Sequence, residues 1–351
     1  MFWYNTEDSK NPHVLWSKVR YMRNIASLPF NARDKELPSD HGTFSSRLSE
    51  LMEANGFHSH QMTSSSCAEI YSLAEKQLID YSFAIDNGER CLYFNEPCNL
   101  TIFSGGEFHL NIQALLSGLS LGEAHKIASE AEELLDREFS FAYSDKLGYL
   151  TSDIALCGSA LELSVCLFLP AARHGARYGD MQREAAAYGA TLSPFLAKYD
   201  NAGDLYVLSY IPSLALDEKK AISDFSALIG DLVSSEISCE GIVFSNKSTI
   251  ISDRAWRALG TLATARMIDE DELLSLISRI RLAIALPACR DGAPKCPISL
   301  LNTLTCEGLN GAVAASLGSS CHSLDDCRVG RADEARKYIL PLISQLIGAA
   351  I

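Results

Sequence analysis

The sequence predicts an α+β fold: a largely antiparallel sheet flanked by helices, followed by a helical C-terminal region. Three observations carry this. Short strand-like runs succeed one another closely between Arg90 and Gln113, which favours antiparallel pairing. Amphipathic stripes then alternate with further strand-like runs up to about Phe244, and from Asp253 onward every periodic segment is helical.

Taken in order, the first eighty residues read as mixed helical and irregular segments, with the polar patch "SHQMTSSSC" as a loop. The runs "RCLYFNE", "NLTIFS" and "EFHLNIQ" follow, divided by Pro97 and by Gly105-Gly106. In the last run Glu107, His109 and Asn111 alternate with Phe108, Leu110 and Ile112, which sets a polar face against an apolar one. Ser120 and Glu123 have the spacing of a capping box, and Leu121, Ala124, Ile127, Ala128, Ala131, Leu134 and Leu135 trace a helical stripe behind them. "ALELSVCLFLP" and "DLYVLSY" are strands by alternation, and Ala221 to Val233 carries the next helical stripe. Two domains are expected, over residues 13–245 and 246–351.

A chain of 351 residues that is 47% hydrophobic, with mean hydropathy +0.04, can bury a substantial core. Eleven scattered cysteines without a Cys-x-x-Cys pair point to reduced, structural thiols. Cys289, Cys296, Cys306, Cys321, Cys327 and His322 allow a metal site only from distant ligands, whereas zinc sites usually show close ligand pairs. The N-terminus has no basic stretch followed by an apolar run, and the C-terminal apolar run is too short to cross a bilayer, so a cytoplasmic address is the expectation. A net charge of −14 argues against nucleic acid and anionic membranes, both of which call for clustered cations. A basic protein partner fits better.

These segments resemble the guanido (phosphagen) kinases, and in length and C-terminal region the bacterial protein-arginine kinase branch. "VLWSKVRYMRNIASLPF" is similar to the family's Ser-Ser-Arg-x-Arg segment and its continuation, and "EFHLNIQ" to its Asn-Glu-Glu-Asp-His-Leu-Arg strand. "DKLGYLTSDIALCGSALELSVCLFLPA", "SDRAWRALGTLATAR" and "VGRADEAR" follow in place and order. The resemblance implies a guanido-kinase catalytic-type domain that moves a phosphoryl group between ATP, with magnesium, and a guanidinium nitrogen. Such chemistry rests on arginines around the phosphates and carboxylates on the guanidinium.

Carried over residue by residue, the resemblance makes Glu107 the remnant catalytic carboxylate and Ser17, Lys18, Arg20, His109 and Ser164 the nucleotide-binding positions. Arg331 is what remains of a phosphoarginine pocket. The departures all run in one direction. Lys18 stands for an arginine, Gly106 for the first Glu, Phe108 for Asp, Asn111 for a phosphate-binding Arg, and Glu162 reverses a positive charge. "DIAL" replaces Cys-Pro-Thr-Asn, "LSPFLA" lacks the Arg and the second carboxylate, and "CRVGRA" keeps two positions of Arg-Asp-x-x-Arg-Ala.

One unit charge about 5 Å from a phosphate, at an effective dielectric near 20, is worth roughly 3 kcal/mol, and Arg to Glu changes that by about twice as much. Each ~1.4 kcal/mol is tenfold in rate, so the expected deficit spans many powers of ten. The first expectation is therefore a regulatory or binding pseudokinase. Its partners would be an active paralogue, an activator or the protein-quality-control machinery, and a homodimer is compatible. The alternative is a divergent ATP:protein-arginine phosphotransferase whose clamps are rebuilt from residues such as Arg173, Arg177 or Lys198. Arginines converging on Glu107 would favour that alternative, and an acidic, apolar cleft would count against it.

Overall fold

The computed structural model describes residues 2–6, 11–30, 39–86, 88–196, 203–212 and 217–348. Among these residues ten strands run as β1 Val14–Arg23, β2 His58–Gln61, β3 Cys91–Phe94, β4 Leu100–Ser104, β5 Leu110–Ser117, β6 Tyr143–Ser144, β7 Gly148–Tyr149, β8 Leu161–Phe168, β9 Ala190–Pro194 and β10 Leu205–Tyr210. The helices of the first part are α1 Ser39–Ala54, α2 Cys67–Glu75, α3 Tyr81–Ala84, α4 Leu121–Phe139, α5 Pro170–His174, α6 Tyr178–Tyr188 and α7 Glu218–Val243. Those of the second part are α8 Ser248–Thr264, α9 Glu270–Ala285, α10 Ile298–Glu307, α11 Asn310–Leu317 and α12 Leu324–Gly348.

Eight strands form one antiparallel sheet in the order β2-β3-β4-β5-β1-β8-β10-β9, and β6 with β7 forms a separate hairpin. The central strand is β1, flanked by β5 and β8. This corrects the reading of the first eighty residues as helical and irregular. Both faces of β1 are buried, so its sequence lacks the apolar–polar alternation that marks a half-exposed strand.

One face of the sheet presents Val19, Tyr21, Ile112, Leu163 and Val165 to Ala124, Ala128 and Leu135 of α4 and to Phe225, Ile229 and Leu232 of α7. Each large apolar side chain buried there contributes about 1.5–3 kcal/mol. The other face carries the polar set Lys18, Arg20, Asn111, Gln113, Glu162 and Ser164, all buried or nearly so. It is covered by a 3-10 turn at Trp3–Asn5, by the α2–α3 segment and by C-terminal helices. Trp3 and Tyr4 pack on Trp16, Leu115, Cys166 and Cys306, while Gln113 Nε2 donates to Gln77 O (2.7 Å) and Thr101 Oγ1 to Leu78 O (3.1 Å).

Two local expectations change. Ser120 does not cap α4: its hydroxyl donates to Ser117 O (3.1 Å), and its amide is taken by Ser17 Oγ (3.0 Å). The capping box lies instead inside the patch read as a loop, where Ser66 and Glu69 bond each other's backbone amides at the start of α2.

The C-terminal helices are fastened to the sheet by polar ties. Tyr4 Oη donates to Glu307 Oε1 (2.6 Å), Lys76 Nζ pairs with Glu307 Oε2 (3.1 Å), and buried Arg281 lies 5.7 Å from the Phe168 ring centroid while donating to Asn302 (2.7 Å).

Candidate functional site

Strand alternation decides which of the candidate residues can meet. Lys18 and Arg20 of β1 point to the polar face, where Lys18 is opposite Ser164 and Arg20 opposite Glu162 of β8. Ser17 points the other way, and its hydroxyl donates to Gly118 O (2.6 Å) while accepting from Ser120 N. It is a brace between β1 and the start of α4, on the face away from Lys18 and Arg20.

Arg20 is held between two carboxylates. Its guanidinium pairs with Asp80, at the start of α3, and with Glu162. Lys18 Nζ lies 3.9 Å from Asp80 Oδ1 and 5.6 Å from the Trp16 ring centroid. Burial pushes the Lys18 ammonium down to about 8, with Arg20 adding repulsion and Glu162 opposing it. Burial raises Glu162, but the charges of Arg20 and Lys18 outweigh that and hold it below the usual carboxylate range. Lys18 and Arg20 are thus interior groups on a strand, not the surface-helix charges that an uninvolved pair would be. Ser164 Oγ is buried between them and β10 with no hydrogen-bond partner among the described residues.

Glu107 lies in a bend before β5, not on the strand as its alternation suggested, and it is exposed. It shares with Arg20 a cavity of about 180 Å³, whose other walls include Asp80, Asp86, Phe83, Phe103 and Phe108. Gly106 makes this packing possible: a Cβ there would sit 2.8 Å from Phe83 Cδ2. The position that bears a carboxylate in the resembled family is here the space taken by an aromatic ring.

His109 is withdrawn from the site. Its Nδ1 accepts from Ile25 N (2.9 Å) and its Nε2 donates to Pro29 O (2.9 Å), which fixes the tautomer and ties β5 to the segment after β1. Arg331 is also consumed internally. Buried in α12, it donates to Gly308 O (2.6 Å), Ile268 O (2.8 Å) and Asn310 Oδ1, binding three segments of the helical region together. In both residues the donors are engaged by backbone or amide oxygens of the chain itself.

The residues named as replacement clamps do not gather at Glu107. Arg173 pairs with Asp204 (3.2 Å), Arg177 with Asp180 (3.2 Å), and Lys198 lies outside the described residues. Asp80 and Phe83 were missed in the sequence. The one available signal was Glu162, whose negative charge opposite Arg20 implies an internal pair. Among the described residues no group of three or more His, Cys, Asp or Glu is placed to hold a metal ion, and no helix is long and apolar enough to cross a membrane.

A nucleoside triphosphate with magnesium does not fit this cluster. Ligand pockets usually enclose about 300–1,000 Å³, against about 180 Å³ here. The cavity's acidic walls would also repel phosphate at close range.

Comparison with known proteins gives the family and the fold. Residues 42–239 match the family model described as ATP:guanido phosphotransferase, C-terminal catalytic domain, and residues 248–338 match that of the protein-arginine kinase McsB C-terminal domain. The protein-arginine kinase of Symbiobacterium thermophilum is 30% identical over 312 residues, covering 85% of this chain and 86% of the relative. That of Pelotomaculum thermopropionicum is 26% identical over 310 residues, covering 86% and 85%. Two solved structures share the fold. The duplicated taurocyamine kinase from Schistosoma mansoni with bound transition state analog components has a TM-score of 0.56 at 16% identity, over 72% of this chain and 39% of that one. Lombricine kinase has a TM-score of 0.52 at 14% identity, over 67% and 70%. The chain belongs to the ATP:guanido phosphotransferase family, in its protein-arginine kinase branch.

Proposed function

We propose that this chain is a regulatory or binding pseudokinase of the protein-arginine kinase branch, with phosphoryl transfer to arginine lost or very weak. One observation carries the reading: Arg20, the surviving arginine of the phosphate-clamp motif, is neutralised on two sides by Asp80 and Glu162. Freeing it for a phosphate would strip the guanidinium from two partly buried carboxylates, a cost of about 1–3 kcal/mol that a new contact would first have to exceed. Glu107 remains exposed, but a base without phosphate clamps has little to act on.

Its partner is a protein, and the net charge of −14 favours a basic one: an active paralogue, an activator or a component of the quality-control machinery. All eleven cysteines are free, in keeping with a reducing cytoplasm as its place of work.

Calorimetry with ATP and magnesium tests the reading on the wild type and on Lys18→Ala/Arg20→Ala. No ATP binding that depends on Lys18 and Arg20 is expected. Micromolar binding abolished by the double substitution would overturn it in favour of a divergent ATP:protein-arginine phosphotransferase, the activity named in the curated relatives.

A further inference from the structure

A second cavity, of about 610 Å³, opens where the sheet-bearing part of the chain meets the helical region. Its walls come from α5, the start of β10 and the end of α7 on one side, and from α8 and α9 on the other. None of its lining residues belongs to the Arg20–Glu107 cavity. Its volume falls within the range of small-molecule sites.

The charge of this cavity runs against that of the chain. In a protein of net charge −14, it is lined by Arg173, Lys247, Arg254 and Arg279. The one carboxylate in its wall, Asp204, is already engaged by Arg173 (3.2 Å) and by the Ser278 hydroxyl. Lys247 Nζ donates to Val243 O (2.6 Å), a neutral acceptor. Arg254 and Arg279 have no carboxylate partner among the described residues, although neighbours of Arg254 do pair: Asp253 binds Arg257 at 2.8 Å and leaves Arg254 to the cavity. Between these cations the wall is apolar, formed by Phe244, Ile251 and Leu282, with His174 edge-on to Phe244.

We propose that this cavity binds a phosphate-bearing small molecule with an apolar or aromatic body. Guanidinium forks from α8 and α9 take the phosphate oxygens in pairs, and the apolar wall takes the body. The excess of cations over carboxylates suits a dianion better than a single carboxylate. A ligand there touches both parts of the chain at once, so its binding fastens α8 and α9 to α5 and α7.

The test is calorimetry and thermal unfolding of the full chain with three probes: ADP, phenyl phosphate and inorganic pyrophosphate. The variants are Arg254→Glu/Arg279→Glu at the cavity and Arg137→Glu, an exposed charge on α4, as control. Should the double reversal fail to fold, Arg254→Gln/Arg279→Gln removes the charge without adding the opposite one. The expected result is micromolar binding of ADP, of phenyl phosphate or of both, with a rise in Tm of a few degrees. Affinity should fall at least tenfold in the double variant and stay unchanged in Arg137→Glu. Tight ADP with weak phenyl phosphate identifies a nucleotide, and the reverse identifies another aryl phosphate. Absence of binding by all three at millimolar concentration overturns the proposal, as does affinity unchanged in the double variant. Pyrophosphate binding as tightly as either organic probe overturns the role of the apolar wall. ADP binding lost in Lys18→Ala/Arg20→Ala but kept in the cavity variant would place the ligand at β1 and overturn both this proposal and the pseudokinase reading.

Discussion

Glu75, the last residue of α2, accepts hydrogen bonds from the backbone amides of Gly311 (2.9 Å) and Ala312 (2.8 Å), so a carboxylate from the sheet-covering segment caps the start of α11. Glu270 of α9 takes the neighbouring amide, of Asn310, at 2.7 Å. The negative ends of two side chains thus meet the positive end of one short helix. The close approach needs glycine, because a Cβ at Gly311 would lie 2.9 Å from Glu75 Oε2, Ser72 N and Tyr71 Cβ.

Glu75→Gln should therefore cost about 1–2 kcal/mol, the range for loss of a charged cap. Gly311→Ala should cost about 1–3 kcal/mol by forcing α11 away from α2. Urea unfolding gives both figures, and amide exchange should quicken in α11 before it quickens in β1. Equal exchange in all elements would show that the cap does not hold this seam.

Arg20→Met should destabilise the fold by about 1–3 kcal/mol, because the partly buried Asp80 and Glu162 would lose the guanidinium and keep the weaker pairing with Lys18. Adding Asp80→Asn and Glu162→Gln to the same chain should recover most of that loss. The pair of measurements forms a coupling test. A single-variant cost below about 1 kcal/mol would mean that the cluster is solvated and its charges are available to ligands.

Glu236 and Glu240, one turn apart on α7, are both buried. Burial pushes Glu240 up to about 8, and the charge of Glu236 adds to it. Glu236 rises to about 7 by burial, even though it accepts the amides of Ala171 and Ala172 (2.8 Å for the latter). His13, 3.7 Å from Glu240, is held low by burial and offers no compensating charge. Raised carboxyls bind more protons folded than unfolded, so their contribution is fully present below about 4.5 and lost as pH rises through 7 to 8. Glu240→Gln should flatten that decline, recovering on the order of 3 kcal/mol at pH 8. Parallel curves of Tm against pH for the two proteins would refute the assignment.

Arg331→Lys should not rescue what Arg331→Ala loses. The three acceptors at Gly308, Ile268 and Asn310 are met by separate nitrogens of one planar group, and a single ammonium cannot reach all of them. Each variant should cost about 2–4 kcal/mol, as expected when buried acceptors lose a charged donor. A lysine variant with wild-type stability would return Arg331 to the list of candidate anion-binding groups.

The sequence made some of this legible and hid the rest for identifiable reasons. Alternation located β8 and β10, where Leu163, Val165 and Leu167 keep one face apolar against Glu162 and Ser164 on the other, and 3.6-residue periodicity located α4 and α7, each of which sets an apolar stripe on the core. The strand β1 escaped because each of its faces mixes residue types: Ser17 and Arg23 lie beside Val19 and Tyr21, and Trp16 and Met22 beside Lys18 and Arg20. Ser120–Glu123 and Ser66–Glu69 have the same spacing, yet only the second forms a capping box. At the first, Ser17 and Ser117 compete for the same groups, which local spacing cannot reveal. Glu162 announced a reversed charge, whereas Asp80, far along the chain from Arg20, carried no mark of its place beside it.

The tie between Tyr4 and Glu307 joins residues 303 positions apart. At roughly 5–20 residues per second of synthesis, the N-terminal turn waits on the order of 15–60 s for its partner to be made. Until α10 and α11 leave the ribosome, the side of β1 that carries Trp16, Lys18 and Arg20 lacks part of its cover. A nascent chain stalled before α10 would therefore display an aromatic and cationic strand face that the finished molecule hides, the kind of surface that chaperones hold and proteases find.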